Sequence, residues 1–135
     1  MIVNQISVFL ENQAGALSSF AHLMREHGID MKALSIAEAN DFGILRIIVD
    51  NEYAAANVLK EAGYICRITP VLVITVPDVS GSLARVLEVL GENNINIDYT
   101  YACPARVQEK ARVILKVADI DKTSKILAAN GLSVL

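Results

Sequence analysis

Two short segments of the sequence combine polar side chains with a glycine just ahead of a predicted helix. They read Asn12-Gln13-Ala14-Gly15-Ala16-Leu17 and Asp78-Val79-Ser80-Gly81-Ser82-Leu83. The start of a helix has unpaired backbone N–H groups and the positive end of the helix dipole, so a carboxylate binds well there. A glycine lets a ligand approach the backbone, and Asn12 or Asp78 offers polar atoms to an ammonium group. The segments therefore predict a site for an α-amino acid.

A purely structural role is the alternative for the same residues. Asn and Asp are common helix caps, and glycine is common in turns. In a single copy this role would be favoured. The same spacing of Asn or Asp, Gly and Leu in two places is harder to explain by capping alone. Both roles stay open at the level of the sequence.

The two segments belong to a repeat that covers the chain. Gly15 aligns with Gly81 at an offset of 66 residues, and the same offset places Asp30-Met31 on Asn96-Ile97. Each copy thus has a second polar position. Later residues align at an offset of 68, so the second copy contains two extra residues. We expect this insertion in the polar turn around Arg106–Lys110.

Each copy shows the pattern strand, helix, strand, strand, helix, strand. In copy one a β-rich segment, Ile6–Leu10, precedes an amphipathic helical segment, Gly15–His27, and a hairpin follows around Asn40-Asp41. With right-handed crossovers, this βαββαβ order produces an α+β, ferredoxin-like module with an antiparallel sheet and both helices on one face. We predict two such modules, residues 1–70 and 71–135, packed tightly because no Gly/Ser-rich linker separates them.

The sequence has no residue pattern typical of catalysis or of metal binding. Neither a Ser-His-Asp or Cys-His arrangement nor a close carboxylate pair is evident. His22 and His27 are five residues apart, whereas two metal ligands on one helix are usually four apart. Cys66 and Cys103 are isolated in apolar surroundings, which is typical of buried thiols. We therefore expect no catalytic residue, no metal site and no cofactor, and we predict that the protein is not an enzyme.

Composition argues against nucleic-acid and membrane partners. The net charge is −3, and Lys and Arg are scattered along the sequence, whereas a nucleic-acid surface needs clustered cations. No apolar run reaches the roughly 18–20 residues of a membrane-spanning helix. Because Met1–Leu10 contains no Lys or Arg that would open a secretory signal, we expect a cytoplasmic location.

In these segments and in its element order the sequence resembles two ACT domains placed end to end. The resemblance rests on Leu10–Leu17 and Val76–Leu83, and on the later Gly28–Met31 and Asn94–Ile97. It implies allosteric regulation by a bound small molecule, chiefly an amino acid. It also implies that the modules join side by side into an eight-stranded sheet, with ligands near the seam. The phosphoglycerate dehydrogenase branch of the family has a His where this sequence has Leu10, so serine specificity is not implied.

We therefore predict a regulatory or sensor protein that binds a free amino acid at its two helix starts. The candidate ligand-binding residues are Asn12, Gln13, Ala14, Gly15, Ala16, Leu17, Asp30, Met31, Asp78, Val79, Ser80, Gly81, Ser82, Leu83, Asn96 and Ile97. The resemblance implies that each site joins the helix start of one copy to the second polar residue of the other. Asn12 would then share a site with Asn96, and Asp78 with Asp30.

A second function from another class agrees with the same pattern. The chain would be a regulatory subunit of an amino-acid biosynthetic enzyme, similar to the small subunit of acetolactate synthase, and would act mainly by protein contact. Under either function we expect a homodimer, because exposed strand edges invite pairing.

Overall fold

The computed structural model describes residues 1–132, and the chain divides into two compact units. The copy-one unit is Asn4–Thr69, and the copy-two unit is Met1–Val3 with the chain from Pro70 onward. The elements in chain order are β1 (Ile2–Glu11), α1 (Ala16–Glu26), β2 (Met31–Ala39), β3 (Phe42–Val49), α2 (Glu52–Glu61), β4 (Cys66–Pro77), α3 (Ser82–Glu92), β5 (Ile97–Cys103), β6 (Lys110–Val117) and α4 (Ile120–Ala129).

The copy-one unit is an antiparallel sheet with the strand order β2-β3-β1, and β4 begins next to β1. Alternate residues of β1 and β3, such as Ile6 and Leu45, point to one face, where they form a single core with Phe20 of α1 and Leu59 of α2. Both helices of this unit therefore cover the same face of the sheet, as the βαββαβ order predicts.

The copy-two unit repeats this arrangement with the strand order β4-β6-β5. Its core joins Ile74 and Leu115 of the sheet to Val86 of α3 and Leu127 of α4. The outer side of β4 is occupied by the first residues of the chain. Val73 and Met1 exchange two hydrogen bonds there, with N···O distances of 2.8 and 3.0 Å. The predicted α+β class with antiparallel strands is confirmed.

The number of strands differs from the prediction. The expected last strand of copy one and first strand of copy two are one continuous strand, β4, with 12 residues. Pro70 does not interrupt it, because the pairing of β4 with β6 begins only at Leu72, so no bond of that ladder is lost at the proline. The expected last strand of copy two falls on residues 133–135, outside the described residues. Residues 1–132 thus form six strands, and the eight-stranded sheet stays a prediction.

Turn positions agree with the repeat in detail. The chain after α1 turns through Gly28 with φ 63°, and the equivalent Asn94 after α3 has φ 57°, a left-handed conformation that these residue types accept. The β2–β3 turn consists of residues 40–41, whereas the β5–β6 loop consists of residues 104–109. The loop is four residues longer than the turn and β5 is two residues shorter than β2, so the net insertion of two residues lies between the starts of β5 and β6, as predicted. None of the helices within residues 1–132 has the length and apolar character needed to cross a membrane.

Candidate ligand site at the two helix starts

The backbone at the starts of α1 and α3 is nearly identical. Gly15 precedes α1 with φ 87° and ψ −16°, and Gly81 precedes α3 with φ 91° and ψ −12°. A residue with a Cβ is strained at such a positive φ, so the fold itself requires glycine at both positions. No side chain caps either helix. The first N–H groups of α1 and α3 therefore have no capping side chain as a partner.

The second helix of each unit begins differently. Asn51 accepts a hydrogen bond from the backbone N–H of Ala54 at 3.1 Å, and Asp119 accepts one from Lys122 at 2.9 Å. These are ordinary N-caps. Capping by Asn12 or Asp78, which the sequence left open, is therefore wrong for α1 and α3, whereas the turn role of Gly15 and Gly81 is confirmed by their positive φ.

The loops before α1 and α3 are held by the neighbouring hairpin turns. The backbone N–H of Asn12 donates to the carbonyl of Asp41, and that of Asp78 donates to the equivalent carbonyl of Glu109, both at 2.9 Å. The Asn12 amide also donates to the carbonyl of Asn40 at 3.0 Å. A carboxylate cannot donate, so Asp78 cannot make this last bond. Asn12 therefore positions its loop, whereas the carboxylate of Asp78 is available to a cationic group.

Open space lies next to both glycines. A Cβ built on Gly15 or Gly81 would meet no other atom within 4 Å. Neither glycine is required by close packing. The space beside each uncapped helix start is therefore accessible to a small anionic group.

In the copy-one unit a cavity of about 460 Å³ adjoins the start of α1. This volume is within the range of small-molecule sites. The cavity is lined by Phe9, Leu10, Glu11, Gln13, Ala16, Ser19, Phe42, Gly63, Tyr64 and Ile65. The rings of Phe9 and Phe42 are stacked with their centroids 4.5 Å apart. Phe9 alternates with the core residues Val8 and Leu10, so the stacked rings lie on the sheet face away from the helices. The lining of the cavity therefore includes these rings and, from the other side of the sheet edge, the start of α1.

Only two of the candidate residues, Gln13 and Ala16, line this cavity. Gln13 donates a side-chain hydrogen bond to the carboxylate of Glu11 at the polar rim. Sequence reasoning missed the aromatic wall, although three of the protein's seven aromatic residues line it. The sequence did contain a signal for this wall: Phe9 lies near the end of β1, and Phe42 lies at the start of β3, which pairs with β1.

The second polar positions lie away from the helix starts of their own copies. Asp30 follows the C-terminal end of α1, which has 11 residues and is therefore about 16 Å long. Its carboxylate is bound by Lys32 at 2.6 Å, and the Asn96 amide donates to Asp98 at 3.2 Å. The structure does not bring Asp30 together with Gly15 within copy one. The pairing of each position with the other copy stays a prediction.

The remaining candidate residues fall into two groups. Met31 and Ile97 begin β2 and β5 and pack against the two cores. The others lie at the exposed or half-exposed surface of the two helix starts: Ala14, Leu17, Val79, Ser80, Ser82 and Leu83. Their backbone and small side chains border the open space, while the three large apolar side chains face solvent.

Metal-binding side chains and the two cysteine thiols are the other groups whose chemistry bears on function. Among residues 1–132, no three His, Cys, Asp or Glu side chains are grouped so that they could hold a metal ion. Cys66 and Cys103 are free and half-buried, less deeply than their apolar surroundings predicted. Burial raises the pKa of both thiols, so they stay protonated at neutral pH.

Comparison with known proteins identifies the family. A family model described as an ACT domain pair matches residues 1–135. The chain belongs to the ACT domain family. ACT domains are regulatory modules that bind amino acids and are not themselves catalytic. The resemblance inferred from the sequence is confirmed over the whole chain.

Solved structures share the ACT fold. Protein BT0572 from Bacteroides thetaiotaomicron is 35% identical, matches 100% of this chain and 92% of its own, and has a TM-score of 0.92. The regulatory subunit of aspartate kinase from Thermus thermophilus, in a ligand-free form, is 15% identical over 97% of this chain and 95% of its own, with a TM-score of 0.67. The same subunit from Thermus flavus is 15% identical over 96% and 92%, with a TM-score of 0.66. No curated protein matches the chain.

Proposed function

We propose that this ACT domain pair is a regulatory or sensor protein that binds a free amino acid at the starts of α1 and α3. One observation carries the proposal. In both units the first helix begins at a left-handed glycine with no capping side chain and with open space beside it. The N–H of Ala16 already donates to the carbonyl of Gln13, and that of Ser82 to the carbonyl of Val79. A ligand carboxylate would accept hydrogen bonds from the next N–H groups of the first turn and interact favourably with the helix dipole.

The ammonium group of the ligand also has partners of suitable charge. Glu11 lies at the rim of the cavity beside α1, and Asp78 lies in the loop before α3. A charge-assisted hydrogen bond contributes about 1.5–3 kcal/mol. A carboxylate partner for the ammonium and a helix start for the carboxylate together describe the two groups that all α-amino acids share.

The first experiment is a thermal-shift screen of the twenty amino acids with the wild-type protein, followed by calorimetry for each one that shifts the melting temperature. A ligand present at about 100 times its dissociation constant adds about 2.7 kcal/mol of stability. If no amino acid binds, the proposed function is wrong.

The site itself is tested with two matched variants, Gly15→Asp and Gly15→Asn. Asn and Asp tolerate a positive φ better than other residues with a Cβ, and they have the same shape. The carboxylate of Gly15→Asp would repel the carboxylate of the ligand, whereas the amide of Gly15→Asn would not. We expect Gly15→Asp to bind at least about tenfold more weakly than Gly15→Asn, because a lost charge-assisted bond has that effect.

The corresponding pair Gly81→Asp and Gly81→Asn tests the second helix start in the same way. Calorimetric stoichiometry then shows which of the two sites each pair affects. If the Asp and Asn variants bind the ligand with equal affinity at both positions, the carboxylate of the ligand does not bind at the helix starts.

The second candidate function, a regulatory subunit that acts by contact with a biosynthetic enzyme, has support from another surface. Val79, Leu83 and Leu87 are 66%, 39% and 37% exposed and lie four residues apart, so Leu83 and Leu87 share one face of α3. A Leu87→Lys variant, which changes no candidate ligand-binding residue, should then keep amino-acid binding and weaken association with the enzyme. Unchanged association would rule out this surface.

We also propose that the protein is a homodimer. In the copy-one unit β2 is the outermost strand, and its Leu34 and Ile36 are 44% and 49% exposed. An apolar, unpaired strand edge favours association with a second copy. Light scattering should give twice the chain mass of 14.6 kDa, and Ile36→Lys should shift the protein toward the monomer. A wild-type monomer at micromolar concentration would contradict this proposal.

A further inference from the structure

We propose that the cavity beside α1 selects a free amino acid with a large apolar side chain, and that Phe9, Phe42 and Tyr64 are its specificity-determining residues. The inference rests on the proposed function, because the helix start supplies the binding site for the ligand backbone. It adds the class of side chain that the copy-one site accepts.

The cavity exists because β1 is longer than the part of β4 beside it. The backbone N–H of Phe9 donates to the carbonyl of Ile65 at 2.9 Å, just before β4 begins at Cys66. β1 continues to Glu11, so its last residues pass beyond this pairing. Backbone N–H groups alternate in direction along a strand, so that of Glu11 points to the same side as that of Phe9. The end of β1, the start of α1 and Gly63–Ile65 thereby enclose a notch at the edge of the sheet.

The wall of this notch is apolar, and part of it is exposed to solvent. Phe9 stacks on Phe42, yet it remains 48% exposed, and Ile65 is 74% exposed. Leu10 and Tyr64 complete the wall. Exposed apolar surface around a concave site is typical of ligand binding, and an apolar side chain that enters would remove it from water. These contacts favour large aliphatic and aromatic side chains over small ones.

The charges around the notch argue against a charged side chain. Its ten lining residues include no Lys, Arg or His, and one carboxylate, that of Glu11. An acidic side chain would find no cation there, and burial of an unpaired charge is costly. Glu11 and the helix start are needed for the ammonium and carboxylate of the ligand. The remaining space is therefore suited to a neutral, apolar group.

The equivalent positions of copy two would not select in the same way. Thr75 and Lys110 stand where copy one has Phe9 and Phe42, as the strand registers show. Arg85 stands where copy one has Ser19. Leu132 stands where copy one has Tyr64, so one apolar position is kept. The two stacked rings are replaced by a polar and a cationic residue, so the preference for an apolar side chain belongs to copy one.

The test compares Ser19→Trp with Ser18→Trp, in which the same change is made at neighbouring exposed serines of α1. Ser19 lines the cavity and Ser18 does not. Binding of phenylalanine, leucine, serine and aspartate is measured by calorimetry with the wild type and both variants. We expect the wild type to bind phenylalanine and leucine about tenfold to a hundredfold more tightly than serine or aspartate, as burial of a large apolar side chain implies. Ser19→Trp should lose this binding, and Ser18→Trp should keep it.

The outcomes separate this inference from the proposed function. If serine or aspartate binds as tightly as phenylalanine and leucine, and Ser19→Trp removes that binding, the apolar selectivity of copy one is wrong while amino-acid binding stands. If none of the four probes binds and the wider screen also fails, the proposed function is wrong and the inference with it. Unchanged phenylalanine binding in a folded Ser19→Trp variant would place the ligand outside this cavity. Should Ser19→Trp not fold, the wild-type selectivity ratio alone decides.

Discussion

The starts of α1 and α3 have the same backbone in different surroundings. Gly15 and Gly81 differ by only a few degrees in φ and ψ, and each loop is held by an equivalent bond from Asn12 or Asp78 to the neighbouring hairpin turn. The side chains around the two starts have diverged. In copy one a single cavity is lined by the stacked rings and by the start of the helix, whereas copy two has Thr75, Lys110 and Arg85 at the corresponding positions.

This difference separates two parts of recognition. Backbone N–H groups at a helix start bind any carboxylate, so they do not distinguish one amino acid from another. Discrimination comes from the side chains that contact the rest of the ligand. The proposed function therefore implies two carboxylate sites with different ligand preferences, because the repeat keeps its backbone and changes its side chains.

Exchange of the wall residues should have the largest effect. The double variant Phe9→Thr, Phe42→Lys gives copy one the residues of copy two. We expect its affinity for phenylalanine to fall about tenfold to a hundredfold, because the aromatic contacts are lost and a cation is added. The reciprocal variant Thr75→Phe, Lys110→Phe is the control and should leave this affinity unchanged. Calorimetry on folded protein distinguishes them, and equal weakening by both variants would contradict the assignment to copy one.

Substitution of the helix-start glycines should affect both copies equally. Gly15→Ala and Gly81→Ala should each lower the free energy of unfolding by about 1–2 kcal/mol, because alanine is strained at a positive φ. Gly91→Ala is the matched control. Gly91 lies within α3, has no atom within 4 Å of a built Cβ and does not have a positive φ, so alanine should stabilise the protein by up to about 1 kcal/mol. Urea unfolding measures all three, and a loss at only one helix start would show that the two backbones are not equivalent.

Removal of the caps should distinguish the second helices from the first. Asn51→Ala and Asp119→Ala should each cost about 1 kcal/mol of stability, because each removes a side-chain acceptor for a helix N–H group. Ser80→Ala, in the uncapped loop before α3, should change stability by less than about 0.5 kcal/mol. Chemical denaturation provides the comparison. A cost for Ser80→Ala as large as that for Asp119→Ala would mean that α3 is capped after all.

The smallest expected effect is a pH dependence that belongs to copy one. Asn4 donates to the Glu52 carboxylate at 2.9 Å, and this bond lowers the pKa of Glu52 below its ordinary value of 4.5. A lowered carboxyl pKa stabilises the fold above the unfolded pKa, and the contribution is lost as pH falls through the folded pKa. Asn4→Ala should therefore destabilise the protein more at pH 7 than at pH 3. Copy two has Ile120 at the equivalent position, so Ile120→Ala should have the same effect at both pH values.

Local features of the chain were predictable because neighbouring residues decide them. Phe20 and Met24 lie four residues apart and point to the same side of a helix, and the structure buries both of them in α1. The residues after α1 and α3, Gly28 and Asn94, accept a left-handed turn wherever the helix ends. The inserted residues lie in the β5–β6 loop, since a polar turn tolerates added length.

Features that depend on distant residues were not predictable. A proline between two β-rich segments looks like a boundary, yet β4 runs through Pro70, because the pairing of β4 with β6 begins only at Leu72. Asn12 resembles a helix cap until the position of the β2–β3 turn is known, because that turn supplies the carbonyl that its amide contacts. Sequence spacing does not reveal which of two possible hydrogen-bond partners is closer.

The sequence by itself determined the repeat, the order of helices and strands apart from the continuous β4, the family and the two helix starts, because each of these depends on residue types at short and regular spacing. Only the tertiary structure decided which residues surround those starts. Phe9, Phe42 and Tyr64 are far apart in the chain and line one cavity because β1 pairs with β3 and with the chain that enters β4. A cavity is produced where strands of unequal length end beside a helix. Its location is therefore a property of strand register and length, which local sequence patterns do not specify.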